Sequence, residues 1–418
     1  MKKRDSETVG VQFCCILIVL LSFSGCDKEQ SSGNQKPQIA INPVNEGLQI
    51  TLKGAITDAD GSISNVIVNW GDNKTEYVMY SDFAALEVSH LYADPATYTV
   101  KVVAFDNESD SSVSSFSVNV DFKETSLTGI KESMFKVSEN EYLILTLNLH
   151  TYQETRQNEK FNLITDVIGM MNVDFVAFQE CAQNKSAAIT SGIIREDNMA
   201  KVVSERLKTK YNAEYNFVWN WAHYGWTVWE EGVAILSRYP LINTEDRYIS
   251  TYTGTSDITS RKVIFGSYQT PDGIFDIFSA HTHWRLTESD EEQNKQIRKI
   301  KSMAAEKWAL TSDSLTFICG DFNGNPTSDY PWSQGYFTMM QNNEYSDTFL
   351  YVYSEANNKP AQNIYNTIGG EFPGRIDYIF MKNNPHLTVI DSQIIFTSDC
   401  VGKVSDHFGV LTKVRYND

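Results

Sequence analysis

The feature that most constrains this chain is a series of apolar runs, nearly all of which end on a carboxylate, an amide or an imidazole. Six recur in order down the C-terminal two-thirds: LTLNLH (Asn148), FVAFQE (Glu180), FSAHTHW (His283), ICGDFNGNP (Asp321, Asn323), RIDYIF (Asp377) and VSDHFG (Asp406, His407). A buried strand delivers a polar group to the rim of a sheet in this way. The runs Tyr142–Leu147, Phe175–Phe178, Val233–Leu236, Ile274–Phe278, Leu315–Ile318 and Ile376–Phe380 are nearly continuous apolar stretches. Such stretches predict strands buried on both faces. Phe161, Ile164, Ile168 and Met171 fall on one helical stripe, and Ile297, Ile300 and Trp308 on another. The second is opened by a capping box, Ser289-x-x-Glu292. The expected fold class is α/β, a sandwich with sheets inside and helices outside.

Residues 37–122 have a different pattern. Apolar and polar residues alternate at Leu48, Ile50 and Leu52, at Val66, Val68 and Trp70, and at Tyr98, Val100 and Val102. Turn clusters break the alternation at Asp58–Gly61 and Gly71–Asn73, the signature of a β-sandwich. The runs V-N-W-G-D-N, S-H-L-Y and Y-T-V-K-V-V-A-F-D resemble a PKD domain, an all-β immunoglobulin-like module. The resemblance implies a spacer or an adhesive unit contacting surface glycan or protein. Asp58 and Asp60 read as a turn more readily than as a calcium loop.

The N-terminus reads as a targeting segment. Lys2, Lys3 and Arg4 precede an apolar stretch from Phe13 to Phe23, shorter than the roughly 20 residues of a membrane span. Phe23-Ser24-Gly25-Cys26 follows and resembles a bacterial lipobox, which implies lipidation at Cys26. The expected organisation is signal peptide 1–25, tether 26–36, β-sandwich 37–122, linker 123–140 and catalytic domain 141–418. The expected location is extracytoplasmic, with a lipid anchor in the membrane. After cleavage, Cys181, Cys319 and Cys400 remain besides the anchor. Three thiols make no disulfide framework and read as small buried hydrophobes.

The formal charge of −18 argues against a broad basic face for nucleic acid. It does not exclude a phosphate ester, because a bound divalent cation inverts the local field.

The ordered segments, above all G-D-F-N, S-D-H and R-I-D-Y, resemble the endonuclease/exonuclease/phosphatase (DNase I-like) superfamily from about Glu141 onward. That resemblance implies a four-layer αββα sandwich and a Mg²⁺-dependent (or Mn²⁺-dependent) phosphoric ester hydrolase. Position by position, it implies metal ligation by Glu180, with Asp406 associated and Asn148 supporting the metal or the substrate phosphate. It implies a catalytic His407 paired with Asp377, and Asp321 and Asn323 orienting the nucleophile and touching phosphate. His283 is placed on the phosphate or leaving group, with His281 competing for the part, and Glu231 is expected to orient this histidine. His150 stands where some members carry a second metal-binding acid. The stretch W-N-W-A-H-Y-G-W-T-V-W-E-E with S-R-K-V resembles a subgroup that includes bacterial maltose 6′-phosphate phosphatases. It marks Asp197, Asn198, His223 and Arg261 as candidate substrate contacts. The aromatic cluster Trp219–Trp229 is either a stacking surface or a packed flap.

The leading expectation is therefore hydrolysis of a small phosphomonoester such as a sugar phosphate. A nuclease or a sphingomyelinase-type diesterase is the alternative. A non-catalytic glycan-binding lipoprotein is the reading from another class.

Overall fold

The computed structural model describes residues 33–78, 83–92, 96–120, 126–284, 287, 290–311, 313–326, 334–354, 365–369 and 374–417. The apolar segment, Cys26 and Ser289 lie outside the described residues. Among the described residues, no helix is long and apolar enough to cross a membrane. The chain divides into two compact units: Met1–Asn42 with Lys53–Glu87 and Val100–Phe116, and Pro43–Leu52 with Val88–Thr99 and Ser117–Asp418.

The N-terminal region is all β, as its alternation predicts. One sheet runs β1 (Gln38–Glu46), β2 (Gln49–Thr57), β5 (Leu86–Leu91). The other runs β4 (Thr75–Val78), β3 (Ile63–Asn69), β6 (Ala96–Asp106), β7 (Ser111–Val120). Leu48, Ile50, Leu52, Val66, Val68, Trp70, Val100 and Val102 are all buried.

Beyond Ser117 two six-stranded sheets dominate. The first has the order β12 (Asn216–Gly225), β13 (Trp229–Ser237), β9 (Phe175–Asn184), β8 (Glu141–Asn148), β21 (Gly409–Tyr416), β20 (Leu387–Ile395). The second has β14 (Leu241–Tyr248), β15 (Lys262–Thr270), β16 (Gly273–His281), β17 (Leu315–Asp321), β19 (Asp377–Lys382), β18 (Tyr345–Asp347). A small ribbon, β10 (Ile189–Ser191) and β11 (Ile194–Arg195), lies outside both.

Strand alternation sorts the apolar residues into three cores. Tyr142, Ile144, Phe175, Ala177 and Val233 of the first sheet meet Phe275, Ile277, Phe317 and Ile379 of the second. Their neighbours Leu143, Leu145, Leu147, Val176 and Phe178 face outward onto α1 (Gln157–Met171) and α2 (Met199–Tyr211). On the far side Phe278, Ile318 and Phe380 face α3 (Glu292–Leu310) and α4 (Gln334–Met340). Each sheet is apolar on both faces because each lies between a helix layer and its partner sheet. This is the four-layer αββα arrangement. Each large side chain so buried contributes about 1.5–3 kcal/mol. Cys181 and Cys319 belong to these cores as small apolar groups, and the three cysteines among the described residues, Cys400 included, are free and buried.

Two local expectations differ from the structure. Trp308 leaves the buried stripe of α3 and is 37% exposed, with Lys382 Nζ 4.9 Å from its ring. The N-cap of α3 is Glu291, with no side-chain cap, so Glu292 is not the third residue of a capping box. Its carboxylate instead accepts from Thr251 N and Thr251 Oγ1 at 2.6 Å.

Candidate active site

The inner-face alternation of four strands runs on into polar residues at one end. Tyr142 and Ile144 lead to Asn148 on β8, Ile277 to His281 on β16, Phe317 and Cys319 to Asp321 on β17, and Ile379 back to Asp377 on β19. The register aligns them: Asn148 pairs with Gln179, His281 with Asp321, and Asp321 with Asp377. Gly320 makes the approach of β17 to β16 possible, since a Cβ there would lie 1.9 Å from Ala280 O at φ +149°.

Glu180 reaches this end by a different device. By simple alternation it would face α2. The pairing of β9 with β13 shifts between Gly232 and Ala234, so Gln179 and Glu180 together oppose Val233. This is a β-bulge, and Glu180 sits in it at φ +44°. The bulge brings its carboxylate to Asn148, whose Nδ2 donates to Glu180 Oε1 and to Asp321 Oδ2, both at 3.1 Å.

His407 stands just before β21. Its Nδ1 donates to Asp377 Oδ2 at 3.0 Å, and its Nε2 lies 3.7 Å from Asp321 Oδ2. Thr367 braces the pair: its Oγ1 accepts from the backbone N–H of Ile376 and Asp377 at 2.9 and 3.0 Å. Its carbonyl accepts from Phe408 N. Asn323, at φ +46°, donates through its backbone N–H to Asp321 Oδ1 at 2.8 Å and through Nδ2 to Thr282 O at 3.0 Å.

Negative charge is concentrated here. Burial, with the Glu231 charge next, pushes Glu180 up to about 7. Burial, with Asp377 next, pushes Asp321 up to about 7. Burial disfavours a charged His407, but Asp377 and Asp321 outweigh it and raise the imidazole to about 10. Glu180, Glu231 and His281 bring ligand atoms within 4.8 Å of one another, as do Asp321, Asp377 and His407. A hard divalent cation fits a donor set that includes the Glu180 and Asp321 carboxylates, and its charge offsets the repulsion that raises both.

Cation binding is therefore proton-linked. Glu180 and Asp321 hold protons more tightly folded than unfolded. They favour the ion-free fold at low pH, and that contribution is lost as pH rises through about 7. A divalent cation bound there would displace those protons, so its affinity should climb between pH 6 and 8, by up to roughly tenfold per unit for each proton released. Calorimetric titration in buffers of different ionisation enthalpy measures the release, and a flat affinity over that range would contradict it.

Other predicted residues are placed as follows. Asp406 is exposed, and its carboxylate groups with His150 and Glu154, Oδ1 lying 3.5 Å from His150 Nδ1. Glu231 orients His223 rather than His283: its Oε1 is 3.1 Å from His223 Nε2, and the two residues are direct cross-strand partners. Thr151 Oγ1 donates to Glu231 Oε2 at 2.7 Å. Burial opposes the Glu231 charge, yet His223 and then Arg261 hold its carboxyl below the usual range. His281 and His283 are both buried, and the charge of Arg261 acts on each. β16 ends at His281, and the backbone then turns to α3, where His283 N donates to Gln296 Oε1 at 2.8 Å. His283 Nε2 lies 3.5 Å from Asp290. His281 accepts from Asn323 Nδ2 at 3.2 Å. Burial lowers both imidazoles, His281 strongly.

Asn198 has another role. It is the N-cap of α2, its Oδ1 accepting from Ala200 N and Lys201 N while Nδ2 donates to Gln183. An asparagine immediately before a run of helix formers is the signal for that role. Asp197 is likewise turned to the backbone, accepting from Asn184 N at 3.1 Å. The aromatic cluster divides. Trp219 is core, its Nε1 donating to Cys181 O at 2.7 Å. Trp229 stacks on Tyr152 at 4.6 Å, while Trp226 is 52% exposed beside His150. Thr151, Glu154 and Thr367 were not legible as site residues, since an isolated threonine or glutamate carries no pattern.

The chain resembles known proteins in sequence and in fold. The family model described as Endonuclease/Exonuclease/phosphatase family matches residues 145–407. No curated protein matches the chain. Among solved structures, an endonuclease/exonuclease/phosphatase family protein from Leptotrichia buccalis is 24% identical with TM-score 0.56, covering 66% of this chain and 100% of its own. One from Beutenbergia cavernae is 16% identical with TM-score 0.49, covering 67% and 72%. The human Nocturnin catalytic domain with bound sulfate anion is 15% identical with TM-score 0.48, covering 66% and 95%. With a model match over more than half its length and the fold of the first of these structures, the chain belongs to the endonuclease/exonuclease/phosphatase family.

Proposed function

We propose that the protein is a divalent-metal-dependent phosphoesterase acting on a small phosphomonoester, such as a sugar phosphate, by in-line attack of water. One observation carries it: Asn148, Glu180, Asp321, Asp377 and His407, from five separate segments, meet in one cluster of hydrogen-bonded and charge-coupled groups.

Glu180 and Asn148 would hold the ion, Mg²⁺ or Mn²⁺, which when bound neutralises charge developing on the phosphoryl oxygens. Asp321 Oδ2 and His407 Nε2, 3.7 Å apart, frame the place of the attacking water. Asp377 fixes the imidazole through Nδ1, so Nε2 is the atom that exchanges a proton. In the ion-free protein that imidazole is charged near neutral pH. Positive charge among the carboxylates weakens their hold on its proton. Asn323 and His283 are assigned to the phosphate and the leaving oxygen.

The acidic balance of the chain supports a small substrate over nucleic acid. Exposed Trp226 offers a ring face to a sugar. The test is a panel of sugar phosphates, plasmid DNA and sphingomyelin, each with and without EDTA. Phosphate release from the sugar phosphates, abolished by EDTA and restored by Mg²⁺ or Mn²⁺, is the expected result. EDTA-insensitive activity, or none on any ester, would contradict it.

The N-terminal β region is proposed to be a PKD-type spacer, and Cys26 a lipid anchor that holds the enzyme outside the cytoplasm. A Cys26→Ser protein that still partitions wholly with membranes would refute the anchor.

A further inference from the structure

Arg261 immediately precedes β15 and is 4% exposed. A guanidinium brings a permanent charge and five N–H donors in a planar fork. The partners Arg261 finds are poor for such a group. Nη1 donates to the carbonyl oxygens of Ile258 at 2.8 Å and Ser260 at 3.3 Å. It also lies 3.4 Å from His223 Nδ1. Nε is buried without a partner. Glu231, the carboxylate that acts on it most strongly, accepts from Thr151 through Oε2 and turns Oε1 to within 3.1 Å of His223 Nε2. Burying a charge is costly unless an anion pairs with it.

The position is informative. The guanidinium is 5.3 Å from the centroid of Trp284, next to His283, and this contact orients the fork. It adjoins the acidic cluster through His223 and Glu231: Nη1 is 3.4 Å from His223 Nδ1, His223 Nε2 is 3.1 Å from Glu231 Oε1, and Glu231 groups with Glu180 and His281 within 4.8 Å. A phosphoryl group held at Glu180 and Asp321 would bring oxygens toward this unpaired donor.

We propose that Arg261 reads the second negative charge of a terminal phosphate and so makes the site select phosphomonoesters over phosphodiesters. The inference rests on the phosphoesterase reading above. A diester phosphoryl group has two non-bridging oxygens sharing one charge. A monoester near neutral pH has three, carrying nearly two charges. The extra oxygen is what a fork with a free Nε can take, and planar Arg donors suit phosphate geometry. The competing role for Arg261 is a brace for the loop Thr251–Ser260, held through the carbonyls of Ile258 and Ser260. A brace would not distinguish two esters.

The experiment compares p-nitrophenyl phosphate with bis(p-nitrophenyl) phosphate in Mn²⁺, using wild type, Arg261→Met and Arg261→Lys. The readout is the ratio of the two kcat/KM values within one preparation, which cancels any loss of folded protein. Wild type should favour the monoester. Arg261→Met should lose about 100-fold on the monoester and less than about fivefold on the diester, with Arg261→Lys between. A ratio unchanged by Arg261→Met, or a wild type that favours the diester, overturns the inference and leaves the hydrolase intact. Wild type inert toward both esters with Mg²⁺ and Mn²⁺ overturns both.

Discussion

Glu180→Gln is expected to lower hydrolysis of the best phosphate ester by about 10³-fold or more, with no loss of folded protein. The amide matches the carboxylate in size and keeps an oxygen for Asn148 Nδ2, which donates to it at 3.1 Å. What it removes is the charge that a cation needs. The same charge is a burden on the ion-free protein: burial and Glu231 together hold Glu180 up at about 7. Neutralising it relieves that repulsion, so the variant without metal should be at least as stable as wild type. Mn²⁺ should raise its melting temperature less than it raises that of wild type. Steady-state rates and thermal melts with and without Mn²⁺ check both halves. Near-normal turnover in metal-replete buffer would remove Glu180 from the mechanism.

Asp377→Asn should cost about 10²–10⁴ in kcat, the range for a positioned proton-transfer group. The side chain it removes holds His407 Nδ1 at 3.0 Å, and Asp377 is the main influence raising that imidazole to about 10 against the opposing effect of burial. Without it, His407 titrates lower and is free to turn. The acid limb of the kcat–pH profile, set by loss of the proton from His407 Nε2, should therefore move to lower pH. Thr367 still accepts the backbone N–H of residue 377 at 3.0 Å, so the strand end should stay in place. A parallel fall in kcat with an unmoved profile would indicate a structural role for Asp377.

Much of the scaffold is legible in the sequence because burial writes itself into strand composition. Tyr142 through Leu147 is apolar at nearly every position, and the structure explains why: alternate residues serve two different cores. The polar residue after each run follows from the same pattern, since a strand that leaves the sandwich ends at its rim. Asn148, Asp321 and Asp377 continue the inner-face parity of their strands and could be placed by counting.

What escaped was whatever breaks that parity. A bulge at Gln179–Glu180 has no compositional mark, yet it alone turns Glu180 inward. Glu231 met His223 rather than His283 because β12 and β13 pair across a short turn, with Gly225 opposite Trp229. Direct cross-strand neighbours of this kind meet without any long-range signal in the sequence. Asn198 shows the converse: an apparent ligand residue whose polar atoms are committed to starting a helix and holding Gln183.

The most direct measurement is anomalous diffraction from crystals soaked in Mn²⁺ and inorganic phosphate. The strongest peak should lie about 2.0–2.2 Å from a Glu180 carboxylate oxygen, with phosphate density between it and His407. A Mn²⁺ peak confined to His150, Glu154 and Asp406, with none at Glu180, would contradict the site.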